Sequence, residues 1–549
     1  MESYVRNMES YVRGEEYPGL LHETIGANLE RTVSAYPDRE ALVEVASGRR
    51  WTWAEFDADV NRTARGLVAA GITKGDRVGI WSPNCAEWTL TQYATAKIGA
   101  ILVNVNPAYR ANEFSFAVNH SGLSLLVAAT SFKTSDYRGM IEQTRENCPT
   151  LKRVVYLDTD DWTDLLAHGD PLPRDIVAEK MADLDPLDPI NIQYTSGTTG
   201  NPKGATLSHH NILNNGYSTT ELINFTEEDR LCIPVSFYHC FGMVMGTLGC
   251  TSHGTTMVIP SPGFDPATTL ETIQNERCTG VYGVPTMFIA MQNHPDFASY
   301  DLTSLRTGIM AGAPCPVEVM KRCISDMHMT EVSIAYGMTE TSPVSTQTRA
   351  DDDLERRTAT IGRVHPHLEI KIIDTLTGEI VERGQAGEFC TRGYSVMLGY
   401  WDEPQKTAEA IDADGWMYTG DLAVMREDGY CNIVGRIKDM VIRAGENIYP
   451  REIEEFLYTH PDIEDVQVIG VPDKKYGEEL CAWIKMRTGA HPLDAEAVRS
   501  FATGKLAHYK IPRYVMVVDE FPMTVTGKIR KIVMRERSAR ALGLTGERS

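Results

Sequence analysis

The chain has 549 residues, of which 42% are hydrophobic and 23% charged, and its formal net charge is −22. That length allows roughly three or four packing units at ~150 residues each, and the composition is that of an ordinary globular protein. The acidic balance excludes a nucleic-acid surface, which needs a basic stripe, and disfavours adhesion to anionic lipid.

Eleven cysteines, scattered from Cys85 to Cys481, form neither a Cys-x-x-Cys pair nor a zinc-ligand spacing. Scattered, odd-numbered thiols suit reduced, mostly buried side chains, so a cytoplasmic location is expected. No apolar run is long enough for a transmembrane segment. The N-terminus lacks the basic and apolar regions of a secretory signal. It carries an echo instead, since Met1–Arg6 and Met8–Arg13 both read MESYVR. This reads as a duplicated start rather than a structural repeat and is set aside from the fold.

From there the chain alternates. Residues 24–36 have apolar positions at helical spacing, closed by Pro37, and 41–45 is a strand candidate. Residues 52–70 read as a helix with Gly71 just past its end. Strands are expected at 76–81, 101–105, 125–129, 151–157, 256–260 and 280–284, with a helix at 87–97. Strands alternating with helices predict an α/β fold with parallel sheets. After about Val424 the pattern changes: Asp428-Gly429-Tyr430 is a tight turn between strands, and Arg436–Asp439 is a charged stretch between apolar runs. Helices at 451–458 and 493–506 and strands at 463–471, 479–486 and 514–518 then form an α+β unit of about a hundred residues, near the modal domain size. The division is therefore a large N-terminal domain, 1–437, and a small C-terminal domain, 438–549.

One stretch concentrates phosphate chemistry. Pro189–Tyr194 reads as a short strand and runs into Thr195-Ser196-Gly197-Thr198-Thr199-Gly200, followed by Asn201-Pro202-Lys203-Gly204. Glycines let backbone approach a ligand closely, hydroxyls and N–H groups form an anion-binding concavity, and Lys203 adds a point charge. The spacing fits neither the Walker loop nor Gly-x-Gly-x-x-Gly. Composition alone says that this loop grips polyphosphate.

Further signatures follow in order: Phe237-Tyr238-His239-Cys240, Ala311-Gly312-Ala313-Pro314, Ala335-Tyr336-Gly337-Met338-Thr339-Glu340, Gly399-Tyr400-Trp401, Tyr418-Thr419-Gly420-Asp421, Gly435-Arg436-Ile437-Lys438-Asp439, Gly445-Glu446-Asn447-Ile448 and Pro522–Lys528. This ordered set, from about Thr24 to Arg535, resembles the acyl-CoA synthetases of the acyl-adenylate-forming superfamily. Asn104–Tyr109 and Phe237–Cys240 look most like the medium- and long-chain fatty acyl branch.

The resemblance implies a two-step reaction. ATP and a carboxylic acid give an acyl-adenylate and pyrophosphate, and coenzyme A then displaces AMP. It implies that Thr195–Lys203 holds the β- and γ-phosphates, Glu340 ligates Mg²⁺ and Thr339 contacts the α-phosphate. Gly312, Ala313, Pro314, Ala335, Tyr336, Gly337 and Met338 would wall the adenine, with Asp421 and Arg436 on the ribose. Lys528 matches the family's catalytic lysine, needed for the first half-reaction only. Lys438 would be the hinge about which the small domain turns, bringing Gly445 and Glu446 to the pantetheine tunnel. Tyr238, His239, Met243, Val244, Ala311 and Gly337 are candidates for the acyl pocket, although the first four read equally well as packing, and a gating role for His239 stands beside a chemical one. Arg443-Ala444 precedes Gly445 where two small residues are commoner, which bears on CoA affinity. ATP, CoA and a small apolar carboxylic acid are the expected partners, in a monomer or homodimer. The alternative acceptor is a carrier protein, but no carrier domain follows and 348–362 lacks room for the insertion of fatty acyl-AMP ligases. A luciferase-like oxygenase has no supporting feature, and intact Lys528, Glu340 and Asp421 speak against a non-catalytic sensor.

Overall fold

A computed structural model describes residues 9–195, 202–443, 446–523 and 529–544; among them only the backbone of 446 and 447 is described. Local signals behave as expected. Thr52 and Glu55 close a reciprocal capping box on the helix Trp53–Ala69, with Glu55 N donating to Thr52 Oγ1 at 3.2 Å and Thr52 N to Glu55 Oε2 at 2.8 Å. Thr24 caps Ile25–Ala35 in the same sense. The helix Ala86–Ile98 is buried on every side except at Glu87. It packs against both of those helices and the strand Ile101–Asn104, which is why its sequence shows little amphipathic pattern.

Two large sheets carry the N-terminal part. The first has seven strands, in the order Gly399–Tyr400, Lys203–Ser208, Pro189–Thr195, Ile101–Asn104, Arg77–Trp81, Leu125–Ala128 and Arg153–Tyr156. The second has nine, running from Arg363–Val364 through Val344–Gln347, Glu331–Gly337, Thr307–Ala311, Gly280–Gly283, Arg230–Cys232, Thr256–Ile259 and Glu40–Glu44 to Arg49–Thr52. Their central pairings are parallel, with antiparallel strands added at the edges. The Lys203–Ser208 strand returns antiparallel to Pro189–Thr195, with Thr195 opposite Lys203, so the glycine-rich stretch joins the arms of a hairpin.

A third sheet is antiparallel and has five strands: Tyr11–Arg13, Leu368–Ile373, Ala386–Gly393, Met417–Met425 and Cys431–Arg436. Its first strand corrects the reading of the N-terminal echo as irrelevant to the fold. The second MESYVR copy supplies Tyr11–Arg13, which pairs with Leu368–Ile373 and places Tyr11 edge-on to Trp416 at 6.4 Å. The alternating Tyr-Val-Arg pattern is a strand pattern, and a sheet edge some 360 residues away in sequence gives it a partner.

The last sheet is built from Val441–Arg443, Glu446–Ile448, Ile463–Asp473, Gly477–Met486 and Tyr514–Val517. Its two apolar clusters draw only on residues from Val441 onward, whereas the other five clusters draw on residues up to Ile433. The predicted helix at 493–506 is shorter, Ala495–Ala502, because Asp494 caps it and Thr503 leaves the helix in an extended conformation. All eleven cysteines are unpaired thiols, nine of them buried. No helix among the described residues is long and apolar enough to cross a membrane.

Candidate active site

The site grows from the carboxyl ends of strands, where open α/β sheets bind ligands. Thr195 ends one strand of the seven-stranded sheet and Lys203 begins the next; Ser196, Gly197, Thr198, Thr199 and Gly200 between them lie outside the described residues. In the nine-stranded sheet Ala311 lies opposite Ala335 in parallel register. The two chains therefore leave that sheet side by side, one into Gly312-Ala313-Pro314 and the other into Tyr336-Gly337. Gly312 has φ +88°, a left-handed conformation that favours glycine. Gly312, Ala313 and Pro314 are exposed, while Ala311 and Ala335 are buried.

Beyond Gly337 and half-buried Met338 the chain makes a 3₁₀ turn, Thr339–Thr341. The turn is tied down from several sides. Thr341 Oγ1 donates to Pro343 O at 2.8 Å, Ser342 Oγ donates to Ser395 O at 2.7 Å, and Met397 N donates to Glu340 O at 2.9 Å. Glu340 is thereby only 5% exposed, and its carboxylate points at the hairpin of Pro189–Thr195 and Lys203–Ser208. Glu340 Oε1 accepts from Tyr400 Oη at 2.9 Å and from Thr195 Oγ1 at 3.3 Å. Lys203 Nζ lies 4.6 Å from the centre of the Tyr400 ring. Thr195, Lys203 and Glu340 thus meet around one residue, Tyr400, that sequence reasoning quoted within Gly399-Tyr400-Trp401 without giving it a part.

A second group flanks the first. Tyr336 Oη donates to Asp421 Oδ2 at 2.7 Å, and Arg436 Nε donates to Asp421 Oδ1 at 2.9 Å. Asp421 and Arg436 are direct cross-strand partners. Burial, followed by the Asp421 charge, pushes the Tyr336 hydroxyl well above the usual phenol range. The neighbouring Glu388, which accepts from Gly420 N at 3.0 Å, is also raised: burial outweighs that amide, and Asp421 adds to it. Five residues of chain, Tyr336 to Glu340, connect the two groups.

Tyr238 and His239 are half-buried, their rings 3.9 Å apart, at the entrance to a π-helical segment, Phe241–Leu248. Met243 and Val244 within it are fully buried. Side-chain amides hold the stretch leading into this segment: Asn104 Nδ2 donates to Tyr238 O at 2.9 Å, Asn84 Nδ2 donates to Val235 O at 2.8 Å, and Phe237 N donates to Asn84 Oδ1 at 2.9 Å. Asn104 lies opposite Gln193, two residues before Thr195. These buried amides were missed because a single sequence marks Asn as a turn former rather than as a strand-end anchor.

Lys438 lies in a 3₁₀ turn, Ile437–Asp439, that links the third sheet to the last one, and its carbonyl accepts from Arg535 at 3.3 Å. Arg443 is held by Glu479, with Nη2 2.5 Å from its carboxylate, and stacks 4.1 Å over the Tyr476 ring. Its charge is engaged within its own sheet. Gly445, Lys528 and the side chain of Glu446 lie outside the described residues.

A strand hairpin thus faces a buried carboxylate, beside a tyrosine–aspartate–arginine group at strand ends. The chain belongs to the AMP-binding enzyme family, whose pattern matches residues 29–401, while the AMP-binding enzyme C-terminal domain matches 452–528. It is 49% identical over 545 residues to the YngI protein of Bacillus subtilis (strain 168), covering 96% of this chain and 99% of that one. It is 47% identical to the mitochondrial medium-chain acyl-CoA ligase ACSF2 of Danio rerio, covering 97% and 91%. Among solved structures, ATP-bound MatB from Rhodopseudomonas palustris matches with a TM-score of 0.84 at 29% identity, over 94% of this chain and 99% of that one.

Proposed function

We propose that this chain is an ATP-dependent acyl-CoA synthetase acting on an apolar, medium-chain carboxylic acid. The observation that carries the reading is the buried Glu340 carboxylate gripped by Thr195 and Tyr400 at the mouth of the phosphate hairpin. The medium-chain preference draws on the printed name of the Danio rerio relative, and coenzyme A as acceptor draws on the same likeness.

In the first step the acid's carboxylate oxygen attacks the α-phosphorus of ATP. The α–β bridging bond breaks, and pyrophosphate leaves with the electron pair. Attack of an anion on an anion makes positioning and charge neutralisation the main tasks of the protein. Thr195 and Lys203 hold the departing β- and γ-phosphates, and Thr339 the α-phosphate. Tyr336 and the Gly312–Pro314 backbone flank the base. Asp421 accepts from the ribose hydroxyls, which replace its contacts with Tyr336 or Arg436. In the second step the CoA thiol, having lost its proton, attacks the acyl carbon and AMP leaves. Lys528 serves the first step. Turning about Lys438 then exchanges it for the tunnel lined by Gly445 and Glu446, an ordinary domain motion.

Glu340 fits a magnesium ion. Both donors to Oε1 are neutral hydroxyls, so the carboxylate keeps its charge available. Among the described residues no three or more His, Cys, Asp or Glu side chains gather into a cage, and Mg²⁺ characteristically takes one or two carboxylates plus phosphate oxygens and water. When bound, the ion neutralises charge on the polyphosphate. Eleven unpaired thiols favour a reducing, cytoplasmic setting.

The test is pyrophosphate exchange into ATP across saturated acids of increasing length, followed by detection of the CoA thioester. Exchange that peaks with medium-chain acids and thioester formation with free CoA are expected. Exchange without thioester would remove CoA as the acceptor.

A further inference from the structure

Tyr400 is built into the return strand of the phosphate hairpin rather than placed against it. It lies opposite Ala205 on the edge strand Gly399–Tyr400, and Leu398 N and Trp401 N donate to Thr206 O at 2.9 Å and Gly204 O at 2.7 Å. Its own amide donates to Thr407 Oγ1 at 2.9 Å. The side chain is 7% exposed, so little freedom remains in its ring. Its two functional ends address different partners: the hydroxyl donates to Glu340 Oε1, and the ring face lies under the Lys203 ammonium. A hydrogen bond to a carboxylate is charge-assisted and directional, and a cation over a ring face is held by the ring quadrupole. One rigid side chain therefore sets the separation between an acid and a cation that arrive from different sheets, Lys203 from the seven-stranded one and Glu340 from the turn beyond the nine-stranded one.

We propose that Tyr400 is a positioning residue for the polyphosphate site, fixing the Glu340 carboxylate through its hydroxyl and the Lys203 ammonium through its ring. The proposal rests on the reading of Glu340 as the metal-binding carboxylate. In this role Tyr400 acts through Glu340 and Lys203. Thr195 shares the first task, because its hydroxyl donates to the same Glu340 oxygen at 3.3 Å.

The experiment is calorimetric titration of ATP into the full-length protein at a series of MgCl₂ concentrations, with no acid or CoA present, so that binding rather than turnover is read. Tyr400→Phe removes the hydroxyl and keeps the ring. It should raise the half-saturating Mg²⁺ concentration about tenfold, the step expected when a hydrogen bond to a charged group is lost, and change metal-free ATP affinity by less than about twofold, since the ring remains under Lys203. Tyr400→Leu should weaken metal-free ATP binding as well. In a Glu340→Gln background Tyr400→Phe should add nothing, because its effect runs through the missing carboxylate. Should Tyr400→Phe fail to fold, Thr195→Val carries the same Mg²⁺ test on the same oxygen. A wild-type Mg²⁺ response in Tyr400→Phe, or an equal shift in the Glu340→Gln background, overturns the proposal alone. If wild type and Glu340→Gln respond to Mg²⁺ alike, the reading of Glu340 is wrong and the proposal falls with it.

Discussion

Replacing Gly337 by alanine is the sharpest perturbation of the turn that aims Glu340. A Cβ at this position would lie 1.7 Å from Pro343 O, 2.8 Å from Pro343 C and 3.1 Å from Ser345 N. Every atom it meets is backbone, so no side chain can swing away. Restoring a normal separation of ~3.2 Å needs about 1.5 Å of main-chain movement. Gly337 is three residues from Glu340, and the strand carrying Val344–Gln347 pairs with it, so the displacement is delivered to the carboxylate. A misplacement of about 1 Å costs on the order of 100-fold in a well-oriented reaction, and overpacking of this kind costs about 1–3 kcal/mol in stability. The assay is acid-dependent pyrophosphate exchange alongside a thermal melt, with Gly19→Ala as the control, since a Cβ there meets nothing within 4 Å. Exchange lowered at least 100-fold with a lower melting temperature is expected for Gly337→Ala, against wild-type behaviour in the control. Wild-type exchange in Gly337→Ala would refute the account of how the turn is held.

Other outcomes follow from the same geometry. Lys528→Ala should lower adenylation by about 10²–10³, the usual cost of removing one group that stabilises developing charge, while thioester formation from supplied acyl-adenylate stays within a few-fold of wild type; equal loss in both assays counts against domain alternation. Lys438→Pro restricts the backbone of the turn and should do the reverse, slowing the thioester step most in single-turnover measurements. Lys97 has a fully buried side chain whose Nζ reaches Asp57 at 2.7 Å, Asn61 at 3.0 Å and Glu30 at 3.2 Å. Lys97→Met should therefore cost about 3 kcal/mol in denaturant unfolding, by leaving Asp57 without its cationic partner, and leave the KM for ATP unchanged. Burial lowers the pKa of His209 to about 4. Its unfolded form takes up a proton below about 6.5, so the stability it contributes is present above that pH and is lost as pH falls toward 4. Between pH 6.5 and 5 that loss is about 2 kcal/mol, and His209→Gln should flatten the fall of the melting temperature over this window; an unchanged slope would remove His209 as its source.

How far the sequence reveals this molecule depends on whether the deciding contacts are local. Thr24, Thr52 and Asp494 announce helix starts because a cap needs only its own first turn. The alternation of strands and helices locates both large sheets. Tyr11–Arg13 was discarded because its partner, Leu368–Ile373, is remote in the chain, and pairing over that distance leaves no mark on either segment alone. The same holds for Tyr400: its motif was visible, but its meeting with Glu340 and Lys203 depends on how an edge strand, a hairpin and a turn from another sheet converge. Glu340, Asp421 and Lys203 stand out in the sequence through the ordered motifs around them, and the structure adds the contacts each side chain makes.

The central claim is attack of a carboxylate on the α-phosphate of ATP, and transfer of ¹⁸O from the acid tests it most directly. With a medium-chain acid in which both carboxylate oxygens are ¹⁸O, followed through to the thioester, one ¹⁸O should appear in AMP and none in pyrophosphate. Label in neither product, or formation of ADP and orthophosphate in place of AMP and pyrophosphate, would contradict the account.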